Sequence, residues 1–372
     1  MVSMDAQLTG APGPNGANGA NLVGLRDHNT ALVMGLLRTS PHGGSRVELA
    51  AATGLTPQAI SKIVARLLSD GVIEETGRGT STGGKPRTLL RLRPDAAYAV
   101  GLAVDRDETT VVLGDLVGEV EHQVTHPIGL ASAEPGRVVE LLAAEVRAAI
   151  DTTPRGARVL GVGVGCRGPL DYASGILHRP AGLASWDRFP FADALAARLD
   201  GLPVHVDKDT NAAALALAGP GAAAYLHFAD GVGAGLLLGG AIYRGARTNA
   251  GEFGHQVLQL DGPECPCGQR GCLEALCLAA LADGDQHAAA RLLGVGAANL
   301  VRLLDIDRIA LGGRVVFAEP EIYRREVAAQ LVERLPEPDW QRAAVELAPT
   351  GASAIAVGAL ELVLGPLFGA RF

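Results

Sequence analysis

Three thiols and one imidazole stand within eighteen residues of this chain: His255, Cys265, Cys267 and Cys272. They lie in Gly251-Glu-Phe-Gly-His255 and in Cys265-Pro-Cys-Gly-Gln-Arg-Gly-Cys272-Leu-Glu274. A tetrahedral Cys₃His zinc site needs that ligand set, four soft donors closing on one ion. The ion would fix the Gly-rich loop and, with it, two carboxylates, Glu252 and Glu274. Ordinary thiols in a Gly-rich turn are the competing reading, which does not explain why all four donors are present. Only five cysteines occur in 372 residues, and four of them fall between positions 265 and 277. Such clustering fits a metal site, not a disulfide framework, and so a reducing cytoplasm.

Charge is unevenly spread. The chain carries −8, but between Ala20 and Asp95 ten Lys/Arg oppose six Asp/Glu, which leaves +4 there and −12 elsewhere. A basic head on an acidic body points to a nucleic-acid contact confined to the head. Residues 1–20 are rich in Gly, Ala, Pro and Asn and lack an apolar signal-peptide core, so a disordered tail is expected there. No apolar run reaches the roughly 18 residues needed to span a membrane.

The head, residues 21–94, has a specific pattern. Residues 21–37 read as an amphipathic helix, and 46–52 as a short helix stopped at Gly54. A further helix covers 56–69, with Thr56 as N-cap and Pro57 in its first turn. Ile60, Ile63, Val64, Leu67 and Leu68 form its apolar face. Two strands, 72–75 and 88–92, flank a Gly-rich basic hairpin. Together these make a winged helix-turn-helix. The 56–69 helix would enter a major groove, and the wing would reach phosphates or a minor groove. The candidate contacts to double-stranded DNA are Thr56, Gln58, Ser61, Lys62 and Arg66 on the helix, and Arg78, Lys85 and Arg87 on the wing. A helical dimerisation module with a flexible loop is the alternative.

Beyond Pro94 strands and helices alternate, which assigns the body to the α/β class. Strands are expected at 99–104, 109–113, from 118, 159–164, 203–206, 223–228, from 235, and 308–311. Helices are expected at 134–151, 211–218, 297–304, from 319, and 353–364.

These pieces, in this order, resemble the ROK family of repressors, open reading frames and sugar kinases. The resemblance runs from about residue 22 to the end. It rests on the 251–274 motif, on Gly161-Val-Gly-Val-Gly165, Asp207-Lys-Asp-Thr-Asn-Ala-Ala-Ala, Gly231-Val-Gly-Ala-Gly235 and Ile309-Ala-Leu-Gly-Gly313. It implies a two-lobed actin/hexokinase-like (ASKHA) body at 95–372. Lobe one would take about 95–218 plus a C-terminal helix at 351–367, and lobe two about 219–350. The head resembles that of the family's repressor branch. The resemblance further implies that Asp209 sits where kinases keep a general base, and that Glu252, His255 and Glu274 bind sugar hydroxyls. His255 would ligate zinc and offer its other ring nitrogen to the sugar. Structural alternatives remain: Asp209 as a helix N-cap, Glu274 as a solvated helix residue, Glu252 as a turn acid.

Departures from the family pattern narrow the function. Family kinases place Asp-x-Gly-Gly-Thr after the first strand of the body. Here the stretch is Asp105-Arg-Asp-Glu-Thr109, and the charges of Asp107 and Glu108 repel a polyphosphate. Phosphoryl transfer is therefore not expected, and no catalytic residue is assigned. The family's Pro-Gly is Arg167-Gly168, its Pro-Asn-Leu loop is Pro180-Ala-Gly-Leu183, and its Asn before the base is Lys208. Lys208 in the cleft suggests an anionic effector such as a phosphosugar. A helix of lobe two is expected to be lost between Glu274 and Gly312. The leading reading is a cytoplasmic, sugar-responsive transcriptional regulator, a dimer or tetramer on a palindromic operator. A kinase with a regulatory head, and a regulator whose body binds no small molecule, are the alternatives.

Overall fold

The head opens with α1 (Leu22–Arg38), the two-residue strand β1 (Gly44–Ser45) and α2 (Arg46–Thr53). The computed structural model describes residues 22–78, 87–180, 182–217, 219, 221–337 and 340–369. The expected tail at 1–20 and Lys85 lie outside the described residues. Ser45 starts α2 with a capping box: its hydroxyl accepts from the Glu48 N–H, and the Glu48 carboxylate accepts from the Ser45 N–H. Gly54 ends α2 in the left-handed conformation. Thr56 caps α3 (Pro57–Ser69) by accepting the Ala59 N–H at 3.2 Å. β2 (Ile73–Arg78) and β3 (Thr88–Leu92) pair antiparallel, with β1 on the far side of β3. Val33, Leu37, Leu49, Ile60, Val64, Leu67 and Leu90 fill the space between helices and sheet. The winged helix-turn-helix pattern is thus present, with β1 and the Ser45 cap added to it.

Two sheets of one design make the body. β4 (Tyr98–Val104), β5 (Thr109–Asp115) and β6 (Val120–His126) form an antiparallel meander. α4 (Pro135–Ile150), β7 (Val159–Cys166), the hairpin of β8 (Leu170–Asp171) and β9 (Ile176–Leu177), α5 (Phe191–Arg198), β10 (Val204–Lys208) and α6 (Asp209–Leu215) follow. β7 and β10 add in parallel beside β4, giving the order β10-β7-β4-β5-β6. The second sheet starts with a meander of β11 (Ala223–Phe228), β12 (Val232–Leu238) and β13 (Ala241–Ile242). After α7 (Leu273–Ala282) and α8 (Gln286–Leu304) come β14 (Arg308–Gly312), α9 (Arg314–Ala318), α10 (Pro320–Arg334) and β15 (Ala344–Leu347). β14 and β15 add in parallel, and the order is β13-β12-β11-β14-β15. Numbered along the chain, each sheet reads fifth, fourth, first, second, third. That repeat is the two-lobed α/β body.

Three expectations need correction. The helix expected at 297–304 begins at Gln286, because Gly294 and Gly296 sit inside it without breaking it. A Cβ on Gly294 would lie 2.7 Å from Gln330 Cβ, so this glycine lets α10 pack close. Between Glu274 and Gly312, where the loss of a helix was expected, the chain carries most of α7 and the whole of α8. Third, α11 (Ala354–Leu364) lies in a segment, Gly351–Phe368, that is long and apolar enough to cross a membrane by length and composition. Its apolarity here serves packing. A Cβ on Gly101 would be 2.1 Å from Ala356 O, one on Gly163 1.7 Å from Ala359 O, and one on Gly358 1.7 Å from Ala212 O. α11 thus lies backbone to backbone on β4, β7 and α6.

The head is fastened to the same helix. Arg38, at the end of α1, donates to both carboxylate oxygens of Glu361 at 2.9 and 2.5 Å. It donates a third bond to Val117 O at 3.0 Å, and its guanidinium lies 4.5 Å from the Phe368 ring centroid. Such a bidentate, stacked arginine is a strong, directional contact. Leu116, Leu367 and Phe368 of the body join the head's apolar core. Gly163→Ala should lower stability by about 1–3 kcal/mol or more, read from urea unfolding, because overpacking at a backbone contact has no rotamer to absorb it.

Candidate metal centre and interlobe cleft

The metal cluster is built by two tight loops. Gly251 (φ +84°) accepts from the Ala234 N–H of β12 at 2.9 Å, and a Cβ there would stand 1.9 Å from Ala234 O. The chain then turns through a 3₁₀ segment, Phe253–His255. Gly271 (φ +66°) accepts from the Leu258 N–H at 2.9 Å, where a Cβ would meet Gln259 O at 1.5 Å. Only glycine fits either position. Between them the Cys265 N–H bonds Gln269 O and the Gly268 N–H bonds Cys265 O, each at 2.9 Å. Cys272 is the N-cap of α7 and sets Glu274 in its first turn.

These loops bring one donor atom from each of His255, Cys265, Cys267 and Cys272 to within 4.8 Å of one another. Cys267 Sγ and Cys272 Sγ are 3.7 Å apart, and His255 Nδ1 is 3.6 Å from Cys265 Sγ. A tetrahedron with bonds of about 2.0–2.3 Å has edges of roughly 3.3–3.8 Å. The donor set therefore fits a metal ion. Nδ1 faces the thiols, and Nε2 lies 3.9 Å from Glu252 Oε2. Cys277 stands apart, buried, with its thiol on Ala289 O.

Beside the cluster a cavity of about 380 Å³ opens between the two sheets. Asp209, Glu252, His255, Glu274 and Lys208, the residues expected to meet an effector, all line it. Asp209 is the first residue of α6, and its carboxylate accepts from the Thr210 N–H at 2.7 Å. It is a helix-start residue and a cleft residue at once. Glu274 accepts from the Val232 N–H at 2.8 Å, so it is held in place by the β12 backbone. Lys208 is 5% exposed. Its ammonium donates to Glu252 Oε1 at 2.6 Å and to Ala250 O at 3.1 Å. The free positive charge expected of Lys208 is therefore already matched by a carboxylate of the other lobe.

Several cleft residues escape a sequence reading. Arg167 places Nε 3.1 Å from Asp105 and Nη2 2.8 Å from Asp230, and so ties the two lobes at the cavity floor. Burial raises the Asp230 carboxyl, but Arg167 and Arg314 outweigh it and hold its pKa below the usual value. Asp207 is fully buried beneath Arg244, which it meets at 2.6 Å, and Asn211 donates to it at 2.9 Å. Its burial nevertheless pushes the carboxyl up. Arg244 stacks 3.8 Å from the Tyr172 ring centroid. The available signal was a charge directly after an apolar strand: Arg167 follows β7 and Asp230 stands just past β11. A second cavity, about 760 Å³, carries Asp105, Asp107, Glu108 and Asp230 on its wall.

On the head, Thr56, Gln58, Ser61, Lys62 and Arg66 are all exposed along α3. Arg66 bonds the Thr30 hydroxyl of α1. Arg87 is half exposed and 3.5 Å from Glu48. Arg78 ends β2.

Comparison with known proteins follows this division. A family model described as the ROK family matches residues 99–282, which include Asp209, Glu252, the four metal donors and Glu274. The ROK hexokinase of Thermus thermophilus is 31% identical, and the match covers 71% of this chain and 96% of that one, with a TM-score of 0.59. The chain belongs to the ROK family. A ROK family transcriptional regulator, a homologue of the E. coli MLC protein, shares the fold across 92% of this chain and 98% of its own, at TM-score 0.76 and 22% identity. The xylose repressor of Caldicellulosiruptor bescii is 30% identical over 239 residues, 62% of this chain and 59% of the repressor. This ROK chain thus spans about three fifths of the length of the curated repressors it matches. Replacing Cys267, an exposed donor, with Ser should reduce bound metal from about one ion per chain to none and lower Tm by several degrees, as read by elemental analysis and melting.

Proposed function

We propose that this chain is a DNA-binding transcriptional repressor of the ROK family whose operator affinity responds to a sugar in the interlobe cleft. The observation that carries the reading is a winged helix-turn-helix fastened through Arg38 and Glu361 to a ROK body with an acidic phosphate turn. α3 is the reading helix. Thr56, Gln58, Ser61, Lys62 and Arg66 face its groove, and Arg78, Lys85 and Arg87 serve the wing. Asp209, Glu252, His255 and Glu274 receive the sugar hydroxyls, since carboxylates and an imidazole accept and donate to such groups in pairs. The metal is a structural zinc ion: four protein ligands leave no open position for chemistry. His255, Cys265, Cys267 and Cys272 hold it and keep the Glu252 loop in shape.

The oligomer is a dimer or tetramer in the cytoplasm. One winged head contacts a half-site only, and linking two half-sites multiplies affinity. The names of curated relatives, xylose repressors among them, support the same reading.

Asp209 at the kinase base position favours a second reading, a sugar kinase. Asp105, Asp107, Glu108 and Asp230 outnumber Arg106 and Arg314 on the wall of the larger cavity and oppose it, because a net negative wall disfavours a nucleotide triphosphate. With MgATP and a hexose panel the protein should give background turnover only. Turnover that disappears in Asp209→Ala would establish the kinase instead.

Selection of bound DNA from a random pool should return a palindromic site. Lys62→Ala should weaken binding at all sequences and reduce the salt slope by about 1. Gln58→Ala should cost about 1–3 kcal/mol at one base position. A pool that yields no enriched sequence overturns the proposal.

A further inference from the structure

We infer that Arg167 is a positioning residue: by gripping Asp105 of lobe one and Asp230 of lobe two, it fixes the spacing between Asp209 and Glu274, the carboxylates that line the cleft from opposite lobes. The inference rests on the sugar-sensing reading above only in taking Asp209 and Glu274 as effector-facing.

The two lobes repeat one charge pattern. In each sheet an aspartate follows the first strand and an arginine follows the fourth. These are Asp105 after β4 and Arg167 after β7 in lobe one, and Asp230 after β11 and Arg314 after β14 in lobe two. The offsets match within each lobe: Asp105 and Arg167 stand one residue past their strands, Asp230 and Arg314 two residues past theirs. The pairing, however, is asymmetric. Arg314 stays within lobe two, mostly exposed and 3.6 Å from Asp230. Arg167 crosses between the lobes, with Nε 3.1 Å from Asp105, Nη2 2.8 Å from Asp230, and 27% of its side chain exposed. A guanidinium holds its donors in a rigid planar fork. Engaged at two nitrogens, it sets the distance between its two partners.

Each side of this tie is coupled to one of the cleft carboxylates. On lobe one, Arg167 leaves β7 beside the start of α6: a Cβ on Gly165, two residues earlier, would stand 3.6 Å from Asp209 Cα. Burial disfavours the Arg167 charge, yet Asp105, Asp230 and Asp209 together outweigh it and raise its pKa. Asp209 therefore lies in the field of this cation. On lobe two, Asp230 is followed by Gly231 and Val232, and the Val232 N–H donates to Glu274 at 2.8 Å. A Cβ on Gly231 would stand 2.9 Å from Glu274 Oε2, so this turn and the carboxylate are in close contact. A shift of Asp230 thus carries the Glu274 anchor with it. Arg167 joins the two sets, Asp209 on its own lobe and Glu274 through Asp230 on the other.

Hydrogen exchange on the full chain without ligand tests the tie. Arg167→Met keeps an apolar stem and removes the fork, so exchange should rise about three- to tenfold in both turns, residues 104–109 and 229–233. Arg314→Met, at the equivalent place in the repeat, should leave 104–109 unchanged. Asp230→Asn leaves Arg167 its Asp105 partner, and so tests the tie even if Arg167→Met unfolds. Exchange in 229–233 should rise in Asp230→Asn, and adding Arg167→Met should raise it there no further. A rise confined to 104–109 in Arg167→Met, unchanged exchange in Asp230→Asn, or additive effects of the two in 229–233 overturns the inference. Calorimetry with D-xylose, D-glucose and N-acetylglucosamine tests the positioning. Whichever of these the native chain binds should bind Arg167→Met about tenfold more weakly, with metal content unchanged. Equal affinity overturns the positioning role. If the native chain binds none of them, the sugar-sensing reading has failed, and the exchange result still decides the tie.

Discussion

Backbone-to-backbone packing of α11 is the constraint on which the other parts depend. Three glycines, Gly101, Gly163 and Gly358, remove the side chains that would hold α11 away from β4, β7 and α6. Contacts of this kind leave no flexible side chains between the layers, so α11 seats directly on the first sheet. α6 begins with Asp209 at the cleft, and Glu361 of α11 clamps Arg38 of the head. Cleft and head are thereby attached to a single helix. A long apolar C-terminal helix, otherwise a hazard in water, is what this attachment requires.

The two lobes meet differently. Their links are ion pairs: Asp207–Arg244, Lys208–Glu252 and Arg167–Asp230. Their burial differs: Asp207–Arg244 is nearly closed off, Lys208 is buried against a more exposed Glu252, and Arg167 and Asp230 are both partly exposed. Buried pairs are costly to break because each leaves an uncompensated charge, and exposed ones are cheap. The Asp207–Arg244 pair is therefore the most costly of the three to break. His255 of the donor cluster stands three residues after Glu252 on the same lobe-two loop. The resulting cleft is bridged by charge pairs between the lobes.

Much of this was legible in the residues. The head's helices and strands follow from local rules: Thr56 before Pro57, Gly54 after α2, apolar spacing along α3. Local rules need no partner, so they survive without a structure. The metal donors were legible because ligand chemistry fixes both type and number. Partner-dependent features were not. Gly294 and Gly296 carry no sign in the sequence of the close contacts they make from inside α8. Lys208 reads as a free charge because its partner is 44 residues away in sequence, and Arg167 because its partners lie on two different lobes. Among the described residues β15 pairs only with β14, and its short, half-buried run carries little pattern of its own.

We propose that occupancy of the cleft reaches the DNA through α11. Fluorescence anisotropy of a selected operator, with the full chain at fixed salt and with or without a neutral sugar at a concentration that saturates the cleft, tests it most directly. Coupling of the usual size for linked sites, about 5–150-fold, should appear as a loss of operator affinity. An operator affinity that is the same with the cleft full and with it empty would contradict the account.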